Sequence, residues 1–170
     1  SEMPLGINYV SGVSAQLKSA VILAGLNSYG NTNITLDKIS RDHTERFLLN
    51  NKNVLTVNKN KLKIEGRKNI HKFKINVAGD PSSASFFVAL TLLMKNSILK
   101  IKNVGLNPTR IGFYNMLKKR GAKIKFFNIR KINNEPVGDI AVKSSKLKPI
   151  KASKDFYPST ADEYPILFVL

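Results

Sequence analysis

Residues 46–57, RFLLNNKNVLTV, and residues 112–126, GFYNMLKKRGAKIKF, follow one pattern: an amphipathic helix, a turn residue suited to left-handed backbone, then a strand. Sliding the 170-residue chain against itself by 68 positions places Ser14 on Ser82, Arg41 on Thr109, Leu49 on Leu117 and Asn53 on Gly121. Self-similarity at such a period implies two copies of one structural unit.

Ahead of the first stretch, INYVSG reads as a strand and Ser14 to Leu26 as an apolar helix. TNITLDKI alternates like a strand, DHTERFLLN reads as a helix, and VLTVNKNKLKIEG reads as a hairpin turning near Asn58 to Lys61. The order is βαβαββ. Around the second stretch the same order recurs: KFKINVAG a strand, DPSSASFFVALTLLM a helix, SILKIKNV a strand, NPTRIGFYNMLKKRG a helix, AKIKFFNI and DIAVKSS a closing pair. YPSTADEYPILFVL then reads as the first helix of a third copy, and its apolar ending suggests a fragment of a longer protein. The expected class is α/β (α+β) with repeated βαβαββ units, at residues 1–76, 77–152 and 153–170.

The net charge of +17 taken alone suggests an anionic partner such as nucleic acid. Lysines supply most of it, scattered over the whole length, which fits a solvated surface. The chain has no cysteine, so disulfides and thiolate zinc sites are excluded. With only His43 and His71 as histidines, no metal site is expected. No apolar run is long enough to span a bilayer and SEMPLGINYV lacks a signal-peptide pattern, so the expectation is a cytoplasmic protein without membrane contact.

Ser14 stands at a helix start with Gln16 and Lys18 in the first turn or so, where free amides and the helix dipole suit an anion. Simple capping by Ser14 explains the same pattern. In SRDHTERF, Asp42 and Glu45 resemble a capping box. Arg41 precedes that cap at a strand-to-helix loop, where a guanidinium can grip a phosphate or carboxylate. His43 has no second histidine or nucleophile to complete a catalytic set.

GDPSSASFF combines Gly79, Asp80 as cap and Pro81 at the first helical position, and lacks phosphate-loop spacing. In NPTRIG, Asn107 is expected to cap, Pro108 to open the helix, and Arg110 to lie on its exposed side. Asp162 and Glu163, being adjacent, project about 100° apart on a helix and so form no acid-base dyad. One can cap while the other faces a cleft; sequence physics does not say which.

Together VSAQLKSAVILAGLN, SRDHTERF, GDPSSASFF, LNPTRIGF with LKKRGAKI, and DEYPIL resemble the successive signatures of 5-enolpyruvylshikimate-3-phosphate synthases, in that family's order and over essentially the whole chain. The wording is closest to the class II branch, known for glyphosate-insensitive members. The resemblance implies the enolpyruvyl transferase fold, with parts of two domains present and the crossover near Val77 to Asp80. It implies a transferase of the shikimate pathway, in aromatic amino-acid and chorismate biosynthesis. Such an enzyme joins phosphoenolpyruvate to the 5-hydroxyl of shikimate 3-phosphate through a tetrahedral ketal, releases phosphate, needs no cofactor and is a monomer at full length.

By the same resemblance Ser14, Ala15, Gln16 and Arg41 bind shikimate 3-phosphate, and Asp162 contacts the ring hydroxyls and helps move the 5-hydroxyl proton. Ser11, Gly12 and Val13 depart from the proline-led residues common before SAQ, and Thr160 and Ala161 from a larger apolar pair before the aspartate. The family's phosphoenolpyruvate-gripping residues fall outside these positions, so the chain alone is expected to be inactive. The competing expectations are a UDP-N-acetylglucosamine enolpyruvyl transferase, of the same fold, and a basic nucleic-acid-binding module. The module would interleave aromatics with basic residues on a sheet face, whereas Phe86, Phe87, Phe113 and Tyr114 have core-like helical spacing.

Overall fold

A computed structural model describes residues 4–51, 53–150 and 156–170. The chain divides into two compact units, Ser1–Ile75 and Asn76–Leu170.

In the first unit the elements are β1 (Asn8–Ser11), α1 (Ala15–Asn27), β2 (Asn31–Leu36), α2 (His43–Leu48), β3 (Leu55–Asn58) and β4 (Lys61–Glu65). Alternation along NTNITL and KLKIE buries Thr32, Ile34, Leu62 and Ile64 and turns the intervening polar residues outward. The sheet runs β1-β2-β4-β3, with β1 and β2 parallel and the other pairs antiparallel. Parallel neighbours need a crossover, which α1 supplies. Its Gly25 lets the helix approach β2 closely, since an added Cβ would lie 2.9 Å from that of Thr32. Ile22, Leu48, Val54 and Leu55 complete the core. The β3–β4 hairpin turns at Lys59, φ 49°, as the spacing predicts.

The second unit holds α3 (Pro81–Leu93), β5 (Ile98–Gly105), α4 (Gly112–Lys119), β6 (Lys123–Ile132) and β7 (Glu135–Lys143). Its sheet is antiparallel, ordered β5-β7-β6. Val88, Phe113, Tyr114, Leu117, Ile140 and Val142 form the centre of its core.

The expected strand KFKINVAG does not form. Among its residues only Gly79 pairs, with Val104 in parallel. Its start is held by the first unit instead: Phe73 packs on Phe47 with ring centroids 5.0 Å apart, and just before the segment the His71 amide donates to Asn51 Oδ1 at 2.7 Å. Val77 is left 91% exposed, with no sheet face to cover it.

The single bridge nevertheless carries the repeat. Ser11 pairs with Leu36, and Gly79 with Val104, the same pair displaced by 68 residues. The helices follow a displacement of 66: Lys18, Ile22 and Gly25 are buried on α1 where Ala84, Val88 and Thr91 are buried on α3. The strand-to-helix link is therefore two residues shorter in the second unit, and the counterpart of the Ser14 cap is Asp80 rather than Ser82.

Two further expectations shift. Asn107 does not cap the fourth helix: its Oδ1 accepts from the amide and hydroxyl of Thr109, closing a local turn, and α4 begins at Gly112. The carboxyl-terminal stretch is broken into α5 (Tyr157–Thr160), a 3-10 turn (Ala161–Glu163) and α6 (Tyr164–Leu167). Pro158 and Pro165 each sit in the first turn of a short helix, where a missing amide is tolerated, and Pro165 cannot continue a helix from before it. The expected boundary at 152/153 falls outside the described residues.

Candidate functional site

Ser14 is the N-cap of α1, its Oγ accepting from the Leu17 amide at 3.3 Å and lying 3.4 Å from Gln16 Oε1. The first turn carries no acidic residue, so the positive end of the helix dipole is uncompensated there. Ala15 is the first helical residue, half-buried, and Gln16 is exposed beside the cap.

Lys18 does not join this end as a surface cation. Its side chain is 2% exposed and its Nζ lies 2.5 Å from Glu45 Oε1, itself 7% exposed. The same Nζ donates to the Arg41 carbonyl at 2.9 Å. A buried ammonium is tolerated only when paired and hydrogen-bonded, and here the pairing ties the Arg41 loop to α1. Ser19 Oγ and Thr44 Oγ1, 2.7 Å apart, add a second tie between α1 and α2.

The capping box expected of Asp42 and Glu45 is therefore absent. Asp42 occupies the N-cap position without a side-chain cap bond and accepts from Arg46 Nε at 2.8 Å, while Glu45 turns inward to Lys18. Arg41 lies between β2 and α2, half-buried, with its backbone fixed by Lys18. Ser14 and Gln16 thus stand at the start of α1, the Arg41 backbone is tied to the same helix through Lys18, and His43 sits exposed at the start of α2.

Asp162 belongs to the second unit and lies in the 3-10 turn with its side chain 45% exposed. Arg110 Nη1 donates to its Oδ2 at 2.7 Å. Arg110 is not the solvent-facing residue the sequence suggests: its side chain is 11% exposed, and Nη2 reaches Asp80 Oδ1 at 3.0 Å and Ser82 Oγ at 2.6 Å. Glu163 is buried and accepts from the Ser82 hydroxyl. Of the two adjacent carboxylates, Asp162 faces outward and Glu163 inward, and Glu163 sits at the N-cap position of α6 without a side-chain cap bond.

Asp80 caps α3 through the amides of Ser82 at 3.3 Å and Ser83 at 2.8 Å, ahead of Pro81. Burial works to raise its carboxyl, but the Ser83 amide and hydroxyl, the Ser82 amide and the Arg110 guanidinium outweigh it and hold the group below its ordinary value. Tyr114 donates to the Pro81 carbonyl. Burial first, then the charges of Glu163 and Asp80, push its phenol well above the usual value despite Arg110, keeping it a donor.

Sequence reasoning missed Lys18, Glu45 and Arg110 as fastenings. A usable signal existed for Lys18, since it shares the helical face of Ile22 and Gly25 and a buried lysine demands a carboxylate. Of the aromatics assigned core-like spacing, Phe113 and Tyr114 are fully buried, whereas Phe86 and Phe87 are 62% and 60% exposed on α3. Among the described residues no group of three or more metal-ligating side chains gathers, and no helix is long and apolar enough to cross a membrane.

The family model for EPSP synthase (3-phosphoshikimate 1-carboxyvinyltransferase) matches residues 6–170. The 3-phosphoshikimate 1-carboxyvinyltransferase of Carboxydothermus hydrogenoformans is 45% identical over 92% of this chain and 36% of its own length. That of Bacillus subtilis is 43% identical over 97% of this chain and 39% of its own. An EPSP synthase structure from Acinetobacter baumannii superposes with a TM-score of 0.85 at 37% identity, covering 98% of this chain and 38% of that one. The chain thus spans a little over a third of the length of these relatives. These matches favour neither the UDP-sugar enzyme nor the nucleic-acid module, and by a family match that runs from residue 6 to residue 170 the chain belongs to the EPSP synthase family.

Proposed function

We propose that these residues are part of a full-length EPSP synthase that transfers the enolpyruvyl group of phosphoenolpyruvate to the 5-hydroxyl of shikimate 3-phosphate, releasing phosphate. Residues 1–76 supply one βαβαββ unit of the first lobe, 77–152 one unit of the second, and 153–170 the start of a further unit. The enzyme works in the cytoplasm, as a monomer, on small molecules alone.

The observation that carries the reading is the end of α1. Ser14 and Gln16 stand together at a helix start with no acidic residue in its first turn, and Arg41 is anchored to the same helix through Lys18. Amides at a helix end, a hydroxyl, a carboxamide and a guanidinium are the donor types that a phosphate monoester demands. Ser14, Ala15, Gln16 and Arg41 bind shikimate 3-phosphate, and Asp162 accepts hydrogen bonds from its ring hydroxyls. As the 5-hydroxyl oxygen bonds to the enol carbon, its proton passes toward the Asp162 carboxylate while the double-bond electron pair takes up a proton at the methylene carbon; loss of phosphate from the ketal with a proton from that carbon restores the double bond.

Titration calorimetry of full-length protein with shikimate 3-phosphate tests the first role. Arg41→Ala is expected to weaken binding by about 1.5 to 3 kcal/mol, the range for a hydrogen bond to a charged group, and unaltered affinity would make Arg41 a surface residue. Phosphate release assays test the second: Asp162→Ala should depress turnover far more than phosphoenolpyruvate binding, and an equal loss of both would mark it as structural.

A further inference from the structure

We infer that Arg110 is a positioning residue for the Asp162 carboxylate, an inference that rests on the role of Asp162 proposed above. The guanidinium is the buried member of the cluster at 11% exposed, while Asp162 and Asp80 are 45% and 49% exposed. The cation is therefore the fixed part and the Asp162 carboxylate is the part that reaches solvent.

Three bonds fix the guanidinium: Nη1 to Asp162 Oδ2 at 2.7 Å, and Nη2 to Asp80 Oδ1 at 3.0 Å and to Ser82 Oγ at 2.6 Å. Asp80 is held in turn by the start of α3, a thirteen-residue helix whose Ser82 and Ser83 amides it caps. The position of Asp162 is thus referred to a long helix rather than to its own three-residue turn.

The segment around Asp162 is pinned on its other side. Glu163 accepts from the same Ser82 hydroxyl that receives Arg110, and Thr160 is fully buried. At Gly112 an added Cβ would overlap Ser159 and Thr160, so α4 lies directly against the residues leading to Asp162.

An aspartate on an exposed turn would otherwise sample several rotamers, each aiming its second oxygen elsewhere. The planar fork of arginine removes that freedom in a way the point charge of lysine does not. For proton transfer the alignment is decisive, because misplacing a reacting group by about 1 Å can cost on the order of 100-fold in rate.

Steady-state kinetics of full-length protein test this. Arg110→Gln should lower kcat on the order of 100-fold and Arg110→Lys roughly 10-fold, with KM for shikimate 3-phosphate moved less than about threefold. In an Asp162→Asn background Arg110→Gln should add less than about a twofold further loss, because its effect runs through that carboxylate. Unaltered kcat in Arg110→Gln, or the same loss with and without Asp162, overturns the inference. If circular dichroism shows Arg110→Gln unfolded, Arg110→Lys carries the same cycle. An Asp162→Asn protein with parental kcat sinks the reading of Asp162 and this inference together; an inactive Asp162→Asn beside a fully active Arg110→Gln sinks this inference alone.

Discussion

In the first unit the helix face that packs on the sheet presents Lys18, Ile22 and Gly25; in the second it presents Ala84, Val88 and Thr91. The frame around these faces is shared down to the pairing of Ser11 with Leu36 and of Gly79 with Val104. The fastenings are not shared. The first unit secures its strand-to-helix loop from beneath, with a buried Lys18–Glu45 pair that also holds the Arg41 carbonyl. The second places alanine at the corresponding helix position and secures its loop from the rim, through Arg110. Apolar positions in a repeat tolerate any side chain of suitable volume, whereas each polar fastening needs a specific partner. The polar residues are therefore where two copies diverge, and in each unit they adjoin a candidate ligand residue, Arg41 or Asp162.

Cutting the buried Lys18–Glu45 pair is expected to have the largest effect. Lys18→Met leaves the Glu45 carboxylate without its ammonium and is expected to cost about 3 to 5 kcal/mol, while Lys18→Met with Glu45→Leu should recover most of that loss. Urea denaturation followed by circular dichroism reads both; a single variant costing under about 1 kcal/mol would mean that the pair behaves as a surface bridge.

The caps offer a smaller contrast. Asp80 accepts from two amides and the Ser83 hydroxyl, Ser14 from one amide at 3.3 Å. Thermal unfolding should show Asp80→Ala costing about 2 kcal/mol and Ser14→Ala about 0.5 kcal/mol, the two ends of the range for capping residues. Equal costs would show that the second unit gains nothing from its richer cap.

The smallest expected effect is a pH dependence in the second unit. Asp80 is held below its ordinary value, as described, and so is Asp139, where the Asn103 amide and the Asn128 side chain outweigh burial, helped by Arg130 and Lys102. A carboxyl depressed in the folded state binds fewer protons there than in the unfolded chain. Its contribution is thus complete above the unfolded value of 3.8 and fades as pH falls through the folded one. Amide spectra of the second unit, followed from about pH 6 down to about pH 3, should show unfolding that Asp80→Asn and Asp139→Asn together flatten. Identical acid profiles in parent and variant would remove both carboxyls from the balance.

Much of the frame was legible because it depends on periodicity. Thr32, Ile34, Leu62 and Ile64 alternate, and Asp80-Pro81 announces its helix. KFKINVAG misled because alternation states only that a segment could line a sheet, whereas Phe47 claims its Phe73 elsewhere and Asn51 holds the preceding His71. Arg110 misled because the proline before it imitates a helix opening, while the Asn107 side chain closes a local turn there instead. Of the candidate site, Ser14 at its cap and Arg41 in its loop follow from local order. The pairing of Arg110 with Asp162 joins residues 52 positions apart, which no local pattern encodes.

The lone bridge at Gly79 also shapes the border of the second sheet. It leaves β5 at the border of the second sheet, with no strand alongside Ile98–Lys102 on that side among the described residues. An open border of this sort is a template onto which foreign strands can add. Here it is bent by the irregularity between Ile101 and Val104, where Asn103 takes a φ of 57°, and it carries Lys100 and Lys102. A kink and positive charge are two features that make a strand margin a poor template for further pairing.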